Sequence, residues 1–475
     1  MIKYLLTSIV SLCIFSLGYY IQSSNECLSS LNRIRFSVYI SRGAGLVLSV
    51  FPWMLLIPVC KHLLTFIRQY SPSLRKVIPS HSLIMHKIFG GIVVIYGMVH
   101  TVSHYVNFYV AENLGITTMR DIHYSSYAGI TGHIMILSML CLLMFSGSYF
   151  KEKNYELFFY THHFYIPVFA VFIFHSFGCF VKTNDGRCSP YYSVYPFCFF
   201  LCVFAAERLY RQFRKTTKVT HVEFFEDCVK IRFDKVFNYE SGYYISIKCN
   251  EVNKFQYHPF TITSYPETDD FIEIYIKDLG DWTRKFRKIL KNNPSPVLSL
   301  DGPYASPCDK IEDYDGVIFI STGIGITPFI SLLKKCACLY ARKELEIKKI
   351  QLVWVIRHNE NFDLFREEMS IISKIIPQRF LDIQIFLTET FEWEEIKIMS
   401  NPINRHINTW EGTNVPINYG RPDLNKIIKK FSGVNYIRKV GVFTCSTRVV
   451  NNITKDICER LDCKDTRFHY VEESF

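Results

Sequence analysis

Long apolar runs dominate the first 206 or so residues of the chain, whereas later residues mix charged positions with short strand-like and helix-like patterns. A helix needs about 20 residues to cross the hydrocarbon core of a membrane. Six runs come near that length, at residues 4–21, 43–60, 86–108, 128–149, 162–180 and 191–206. The pattern predicts a six-helix transmembrane bundle followed by a soluble half.

The soluble half shows two patterns in succession. Its first part contains alternating runs typical of antiparallel strands in a small β-barrel, namely VTHVEFF, CVKIRFD, YYISIKC and FIEIYIK. From residue 315 a strand, a glycine turn and a helix follow one another, and the strand-like runs IQLVWVIR, IQIFLT and KVGVFTC come later. This order predicts an α/β domain with a parallel sheet that binds a nucleotide at the carboxyl ends of its strands. The predicted domains are residues 1–207, 208–308 and 309–475.

Basic residues indicate the orientation of the spans and the kind of surface they meet. Positive charge concentrates in two loops and in the linker ERLYRQFRKTTK, with loop residues Arg68, Arg75, Lys76, Lys151 and Lys153. The positive-inside rule then places these loops and both termini in the cytoplasm, although Arg33 and Arg35 in the first outer loop oppose it. The net charge of +11 lies near the membrane, so we expect contact with anionic lipid and none with nucleic acid.

Composition agrees with a membrane protein that faces a reducing compartment. The chain is 49% hydrophobic and 16% aromatic, which is high for a soluble protein of this size. Most of its 16 cysteines lie in the spans or in the cytoplasmic half, where thiols stay reduced. Cys179 and Cys188 flank the last outer loop and are candidates for a disulfide, with two free thiols as the alternative.

Histidines inside two apolar spans are the first candidates for chemistry, because ionisable or metal-binding side chains are costly there. His86 and His100 are fourteen residues apart, which puts them about 21 Å apart on nearly the same face of a helix. His162 and His175 are thirteen apart, about 140° out of phase on an ideal helix, and His163 fits no better.

Pro167 lies between the histidines of the second span and offers a partial account of this mismatch, because proline can kink or overwind a helix. A single membrane histidine is usually a packing residue, but two on each of two spans favour bis-histidine ligation of two haems. Since both spans would run outward from the cytoplasm, His86 and His162 would lie at an inner level, and His100 and His175 at an outer level. Arg42 and His104 are further polar groups near the haem of the outer level. For Arg42 the alternatives are snorkelling to the headgroups and a role at the haem propionates or at a pocket for the reduced substrate.

The soluble half carries candidate flavin and nucleotide sites. The strand YHPFTITS, residues 257–264, is a candidate cradle for a flavin, and the amides that begin the helix after LGDWT are candidates for its pyrophosphate. Gly323 and Gly325 allow a phosphate to approach the backbone closely, with Pro328 early in the following helix. Arg357 and Arg421 suit a 2′-phosphate and favour NADPH over NADH, with solvated surface arginines as the alternative.

Taken in order, VHTVSHYVN, WMLLIPVCKHLLTFIR, YTHHF, HPFTITS, GDWT, GIGITPF, YGRPDL and the terminal Phe475 resemble the motifs of the NADPH oxidase (NOX) catalytic subunits, closest to the phagocyte-type branch. The resemblance covers nearly the whole chain. It implies a ferric reductase-like transmembrane bundle joined to a ferredoxin-NADP reductase-like module, with two haem b groups, FAD and NADPH. It also implies the haem pairs His86 with His162 (inner) and His100 with His175 (outer).

The same resemblance assigns the other site residues. The implied FAD contacts are His258, Pro259, Phe260, Thr261, Ile262, Thr263, Ser264, Lys277 and Thr283. The implied NADPH contacts are Gly323, Ile324, Gly325, Thr327, Pro328, Phe329, Arg357, Arg421 and Cys445. The resemblance also implies catalytic roles for Cys445 and for Phe475, which would cover the flavin until nicotinamide displaces it. Arg42 and His104 are catalytic candidates from their position at the outer level.

Three departures from the family pattern concern the soluble half. Ser321 replaces the first glycine of the nucleotide turn, and Lys277 stands where the family has an arginine for the flavin phosphate. The family's Cys-Gly-Pro is Cys445, Ser446 and Thr447 here. None of these removes a haem ligand, so we expect altered efficiency.

The expected function is electron transfer from cytosolic NADPH through FAD and the haems to dioxygen across the membrane, giving superoxide. The alternatives are a ferric-chelate or metal reductase with the same cofactors and a catalytically impaired haem-binding membrane protein. The resemblance further implies a plasma or phagosomal/endosomal membrane, a small membrane partner protein, and cytosolic activators including a small GTPase. No complete 12-residue calcium loop is present, so calcium control within this chain is not expected.

Overall fold

The fold is described from a computed structural model of the chain. It describes residues 2–24, 36–70, 82–115, 118–147, 149–150, 155–178, 194–211, 215–308, 310–357, 364–388, 415–434 and 436–473. The chain divides into two compact units, Met1–Tyr210 and Arg211–Phe475.

The first unit is helical. Its helices are α1 (Ile2–Ser23), α2 (Phe36–Met54), α3 (Lys61–Tyr70), α4 (Ser82–Asn113), α5 (Met119–Tyr124), α6 (Tyr127–Phe145), α7 (Tyr155–His162), α8 (Tyr165–His175) and α9 (Val194–Tyr210). Five stretches of this unit are long and apolar enough to cross a membrane: Tyr4–Ser23, Phe36–Val59, Leu83–Asn113, Tyr127–Phe145 and Leu157–His175. Helix α9, of 17 residues, covers most of the sixth predicted span, 191–206.

One helix of the second unit, Gly323–Ala341, has the same length and apolar character. More than half of it, 56%, is buried inside the protein, whereas the buried share of the stretch Leu157–His175 is 0%. A helix that faces lipid exposes apolar side chains, while a core helix of a soluble domain covers them with protein. Gly323–Ala341 is therefore a core helix of the α/β domain.

Small residues allow the first two spans to cross closely. A Cβ added at Gly43 would lie 2.8 Å from the carbonyl oxygen of Phe15, and one at Gly18 would lie 2.9 Å from Leu46 Cβ. Membrane helices associate without a strong hydrophobic drive, so close backbone approach at small residues stabilises their packing. Large side chains at these two positions would separate α1 from α2.

The fifth predicted span, 162–180, consists of two helices in the structure, α7 and α8, which together begin earlier and end at His175. The break lies at His163 and Phe164, one turn before Pro167. Proline lacks an N–H and its ring clashes with the carbonyl four residues earlier, which here belongs to His163. The backbone tightens instead, as Phe164 N–H donates to Thr161 O at 3.1 Å and Ile166 N–H donates to His163 O at 3.0 Å.

The second unit begins with a barrel of six antiparallel strands. These are β1 (Lys215–Phe224), β2 (Cys228–Asp234), β3 (Tyr244–Cys249), β4 (His258–Thr261), β5 (Phe271–Lys277) and β6 (Val297–Tyr304), in the order β4-β3-β6-β1-β2-β5. The two edges meet where Ile262 pairs with Ile274 and Thr263 N–H donates to Glu273 O at 2.9 Å. Helix α10 (Asp281–Asn292) covers the barrel with three buried apolar residues at helical spacing, Trp282, Phe286 and Leu290.

An α/β domain with a parallel sheet completes the second unit. Its strands are β7 (Gly316–Thr322), β8 (Lys349–Ile356), β9 (Leu381–Leu387), β10 (Ile417–Tyr419), β11 (Lys439–Cys445) and β12 (Arg467–Glu472). Its helices are α11 (Thr327–Ala341), α12 (Arg366–Ile375), α13 (Leu424–Lys429) and α14 (Arg448–Leu461). The strand order is β10-β9-β8-β7-β11-β12. Successive strands are therefore added on one side of β7 up to β10 and on its other side from β11 onwards, which makes β7 and β11 the switch point of the sheet. Ligands of such sheets bind at this switch point, beyond the carboxyl ends of the strands.

The predicted architecture is confirmed: a helical membrane unit precedes an antiparallel β-barrel and an α/β domain with a parallel sheet. The domain boundaries at 207 and 308 stay a prediction.

Candidate functional site

The inner candidate site is the facing pair His86 on α4 and His162 at the end of α7. Their ring centroids are 6.1 Å apart, with an angle of 63° between the rings. The Nδ1 atom of His86 contacts the carbonyl oxygen of Leu55 at 3.1 Å. The Nδ1 atom of His162 is 3.4 Å from the Ser146 hydroxyl. The Nε2 atom of each ring is therefore left to face the space between them.

The outer candidate site has the same construction. His100 on α4 and His175 at the end of α8 have ring centroids 6.4 Å apart. The Nδ1 atom of His100 contacts the Ser41 carbonyl oxygen at 3.0 Å, and that of His175 contacts the Thr131 hydroxyl at 2.9 Å. The structure thus brings together both histidine pairs that the sequence predicted.

The geometry fits one metal ion between each pair. Two imidazoles that bind opposite sides of one ion at about 2 Å have ring centroids roughly 6 Å apart. Metal-binding histidines usually donate the other ring N–H to a carbonyl or a similar acceptor, which fixes the tautomer. Such an axial pair leaves the equatorial positions to a planar group, as in a b-type haem. The four histidines therefore fit bis-histidine haem ligation.

The break in the fifth predicted span explains how His162 and His175, thirteen residues apart, can face one histidine of α4 each. His162 is the last residue of α7, and His175 is the last residue of α8. Since the two helices are separate, the phase of one does not fix the phase of the other. His163, in the break, instead contacts the Phe159 carbonyl oxygen of α7 through Nδ1 at 2.7 Å.

His104 and Arg42, predicted to act near the outer haem, lie beside the outer pair. The ring of His104 packs on His100 with centroids 4.5 Å apart. Arg42 follows Ser41, whose carbonyl oxygen contacts His100. Both residues are thus near the outer pair, and their roles stay predictions.

The predicted flavin strand presents an aromatic surface. His258 and Trp282 pack with ring centroids 4.4 Å apart, and Phe260 lies 6.1 Å from the same indole. Pro259 between them is exposed. Burial lowers the pKa of His258 to about 4, so its ring is neutral at physiological pH. Its buried Nε2 atom has no hydrogen-bond partner within the described parts of the chain, which makes it a candidate donor or acceptor for a bound group.

The last two residues of the same motif, Thr263 and Ser264, form hydrogen bonds within the protein, so their hydroxyls are not available to a ligand. Thr263 is fully buried and donates its hydroxyl proton to Glu273 Oε1 at 3.0 Å. Ser264 is also fully buried; its hydroxyl accepts from the Glu273 amide at 3.1 Å and lies 2.7 Å from the Tyr239 hydroxyl. Thr261 and Ile262 are buried as well. Contact with FAD through the side chains of Thr263 and Ser264 therefore does not fit the structure.

Lys277 and Thr283 are likewise engaged within the protein. Lys277 forms an ion pair with Asp227 at 2.8 Å. The Thr283 hydroxyl accepts from the amides of Leu279 at 3.1 Å and Gly280 at 3.0 Å. These two amides, just before α10, already have an acceptor within the chain. Fewer amides are therefore left for the predicted pyrophosphate site than the sequence indicated.

The nucleotide turn lies at the switch point of the parallel sheet. Gly323 has a φ of +51°, which favours glycine. A Cβ at Gly325 would lie 2.3 Å from the carbonyl oxygen of Cys445, so only glycine lets the turn approach the end of β11. The Ser446 hydroxyl donates to the Thr322 hydroxyl at 3.1 Å across the same point. The structure therefore places Cys445 beside the glycine turn, as the NADPH prediction requires.

The residues after the turn are less accessible than predicted. Thr327 and Pro328 are buried, and Phe329 is fully buried with its ring stacked on Phe319 at 4.7 Å. Phe329 is a core residue, because its neighbours are apolar side chains of the sheet. The accessible part of the motif is the backbone of Gly323, Ile324 and Gly325.

The departures from the family pattern fit this turn without blocking it. Ser321 is fully buried at the end of β7, with its hydroxyl 3.5 Å from the Val353 carbonyl oxygen. Burial, followed by the charges of Glu473 and Glu472, raises the pKa of the Cys445 thiol. The thiol therefore stays protonated and is not a nucleophile at physiological pH.

Arg357 and Arg421 follow β8 and β10 at the carboxyl edge of the sheet. Both are exposed, and no ion pair joins either of them to another described residue. Because one strand lies between β8 and β10, the two positions are about 10 Å apart across the sheet. Two free guanidinium groups at this edge suit a phosphate of the nucleotide.

Phe475 and the disulfide candidates Cys179 and Cys188 lie outside the described residues. The sequence reasoning missed Thr131 and Ser146, which hold His175 and His162. The available signal was a hydroxyl residue near each end of the span 128–149, although the span also contains His133, Ser138 and Ser148.

Comparisons with protein families match three domains in the order of the chain. Residues 44–173 match the ferric reductase-like transmembrane component, residues 212–308 an FAD-binding domain, and residues 314–459 the ferric reductase NAD-binding domain. Together these matches cover well over half of the chain.

Curated relatives are similar over nearly the whole chain. Two superoxide-generating NADPH oxidase heavy chains of Dictyostelium discoideum are each 26% identical, over 90% and 93% of this chain. The matched region spans 66% of the first of these heavy chains and 90% of the second. NADPH oxidase 1 of Mus musculus is 24% identical, over 92% of this chain and 87% of its own.

A solved ferredoxin NADP⁺ reductase from Neisseria gonorrhoeae has 11% identity and a TM-score of 0.39, over 54% of this chain and 98% of its own. The narrower phagocyte-type resemblance stays a prediction. The transmembrane, FAD-binding and NAD-binding domains in this order, and the relatives matched along about nine tenths of the chain, show that the chain is a transmembrane NADPH-dependent oxidoreductase that is similar to the NADPH oxidases.

Proposed function

We propose that the protein transfers electrons from cytosolic NADPH across the membrane to dioxygen and releases superoxide. The observation that carries this proposal is a pair of facing histidines at each of two levels. The ring centroids are 6.1 Å apart in one pair and 6.4 Å apart in the other, and each Nδ1 atom contacts an oxygen of the protein. When bound, FAD accepts a hydride and releases single electrons, and the two b-type haems carry these electrons across the membrane.

The chain's own residues would bind and orient these groups. The glycine turn would hold the NADPH phosphates, and Cys445 beside it would border the nicotinamide. His258, Phe260 and Trp282 would form the aromatic wall next to the flavin. His100 and His175 would hold the outer haem, and Arg42 and His104 beside this pair would border the place where dioxygen accepts an electron.

Superoxide release is tested with purified protein in lipid, FAD, haem and NADPH. We expect NADPH-dependent reduction of cytochrome c that superoxide dismutase abolishes and that ferric chelate does not change. Direct ferric reduction that persists with superoxide dismutase present would contradict the proposal and support a metal reductase. That alternative is favoured by the descriptions of two matched domains, which are named after ferric reductases.

A catalytically impaired haem-binding membrane protein is the second alternative, and the departures at Ser321 and Ser446 motivate it. It predicts that FAD-loaded protein does not oxidise NADPH even with artificial acceptors. The intact switch point, where Ser446 donates to Thr322 and Gly325 approaches Cys445, supports an active enzyme.

Arg421→Ala is expected to raise the KM for NADPH about 10- to 100-fold and to leave the KM for NADH unchanged. The exposed guanidinium would bind the 2′-phosphate, which NADH lacks, and hydrogen bonds to charged groups contribute about 1.5–3 kcal/mol. Diaphorase kinetics with an artificial acceptor measure both constants. Arg379→Ala is the matched control, because Arg379 precedes β9 at the opposite edge of the sheet. Equal losses with both nucleotides would contradict a 2′-phosphate role.

The orientation and partners belong to the same proposal. Basic residues of the predicted loop that contains α3, and of the linker before β1, support a cytoplasmic location for both termini. A small membrane partner protein, cytosolic activators including a small GTPase, and a plasma or phagosomal/endosomal membrane are proposed from the family resemblance.

A further inference from the structure

Each of the four proposed haem ligands has an Nδ1 partner, but the partners are of two kinds. The two histidines of α4 contact backbone carbonyls, those of Leu55 and Ser41. The other two histidines lie near side-chain hydroxyls of α6 and its C-terminal cap: His162 is 3.4 Å from Ser146, and His175 is 2.9 Å from Thr131. Thr131 therefore makes the shorter of the two hydroxyl contacts, and it can be changed by mutation.

The hydrogen bonds of Thr131 determine its role toward His175. A hydroxyl has one proton to donate and two lone pairs that accept. The Thr131 hydroxyl has two acceptors for its proton in its own helix, the carbonyl oxygens of Tyr127 at 2.7 Å and Ala128 at 3.3 Å. With the proton directed to one of these carbonyls, the Thr131 oxygen would accept from His175, and the His175 ring would carry its proton on Nδ1 and present Nε2 to His100. The Ala128 carbonyl is a second acceptor near the same ring.

Close packing limits other orientations of the ring. A Cβ at Gly132 would already be in van der Waals contact with His175 Cε1, at 3.6 Å. A Cβ at Gly178, just after α8, would lie 2.8 Å from Ala128 Cβ. Helix α6 thus contacts the end of α8 along the face that carries Thr131, and the ring is held between these helices and His100.

We propose that Thr131 is a positioning residue for the outer haem: it fixes the tautomer and orientation of His175 and strengthens this ligand as a donor. The inference rests on the proposed haem ligation by His175. An acceptor on Nδ1–H makes the imidazole a more basic ligand, which stabilises the oxidised iron and lowers its reduction potential. Removal of the acceptor should have the opposite effect.

The test compares Thr131→Val, Thr131→Ser and Thr101→Val in the full-length protein. Valine keeps the shape of threonine, and serine keeps the hydroxyl. Thr101 makes the same kind of bond within its helix, to the Gly97 carbonyl oxygen at 2.9 Å, and is the matched control. Potentiometric titration followed by visible spectroscopy, with low-temperature EPR of the ferric haems, measures each haem separately.

We expect Thr131→Val to retain both haems, to shift the potential of one haem to a more positive value and to change its EPR signal. Thr131→Ser should restore both properties, and Thr101→Val should leave both unchanged. Unchanged potentials in Thr131→Val would overturn the inference, because the Ala128 carbonyl would then suffice. A haem loss that Thr131→Ser does not restore would also overturn it. Failure of the haem ligation on which the inference rests is distinguishable, since wild-type protein would then not show two haems. Failure of superoxide release would appear in the cytochrome c assay and would leave the two haem potentials measurable.

Discussion

Replacement of His100 or His162 by leucine is expected to remove one of two haems and to lower NADPH-driven superoxide release by at least about 100-fold. Partners of ligating residues already change metal sites by about 10- to 100-fold when mutated, and a lost axial ligand should cost more. Each variant interrupts a different level, since His162 faces His86 and His100 faces His175. The haem count per protein and the reduced-minus-oxidised spectrum measure the first effect, and dismutase-sensitive cytochrome c reduction measures the second.

His163→Leu is the matched control for this prediction. His163 is adjacent to His162, but its Nδ1 atom contacts the Phe159 carbonyl oxygen within α7 and its ring packs on Phe159 and Tyr165. It should keep both haems. All variants should also retain NADPH oxidation with acceptors that take electrons from FAD, which shows that the soluble unit is folded. Two haems in His100→Leu or His162→Leu, or haem loss in His163→Leu, would contradict the ligand assignment.

The sequence predicted the spans and the candidate histidines from residue type and position, and the family resemblance selected His162 over His163. It could not predict how His162 and His175 reach their levels. Ideal helix geometry puts them out of phase, and the proposed distortion at Pro167 gave no position for a break. In the structure the break lies at His163 and Phe164, since the proline affects the carbonyl four residues earlier.

The soluble half shows a different limit of sequence reasoning. The motif HPFTITS contains the correct strand, but β4 ends at Thr261 and the rest of the motif continues into the protein interior. Its first residues, with exposed Pro259, line an accessible surface, while Thr263 and Ser264 turn into the protein and bond to the Glu273 region. A motif alone does not separate residues that contact a ligand from those that hold the strand in place. Phe329 in the nucleotide motif is a second example, because it packs on Phe319 in the core.

Glu273 is the centre of a buried charge network that the sequence did not indicate. Its side chain is 1% exposed, and Arg232 Nε donates to Glu273 Oε2 at 2.8 Å. Lys230 and Lys334 lie 3.9 and 3.8 Å from its carboxylate. Because Lys334 belongs to α11 and the others to the barrel strands, this network joins the barrel to the α/β domain. Ser331 of α11 adds a hydrogen bond to the Ser264 carbonyl oxygen at 2.9 Å.

We expect Glu273→Gln to destabilise the second unit by about 3 kcal/mol, because Arg232 loses its buried carboxylate partner, while Lys230 keeps Glu223 and Lys334 keeps Asp269. For a domain of this size that corresponds to a fall in melting temperature of roughly 10 °C. Thermal release of FAD from the full-length protein, followed by flavin fluorescence, measures it. Glu267→Gln is the matched control, since the Glu267–Arg342 ion pair joins the same two domains at 2.8 Å but both side chains are about half exposed. It should change the melting temperature little.

The pH dependence of stability provides a second readout for Glu273. Burial alone raises the pKa of its carboxyl group, but Lys334, Lys230 and Arg232 outweigh burial and leave the pKa below its usual value. A depressed pKa in the folded state contributes stability that is present above the unfolded pKa and is lost as the pH falls through the folded pKa. The wild-type protein should therefore lose stability in acid more steeply than Glu273→Gln, whose amide does not titrate. Parallel acid profiles for the two proteins, or equal melting temperatures for Glu273→Gln and Glu267→Gln at neutral pH, would show that this carboxylate does not hold the two domains together.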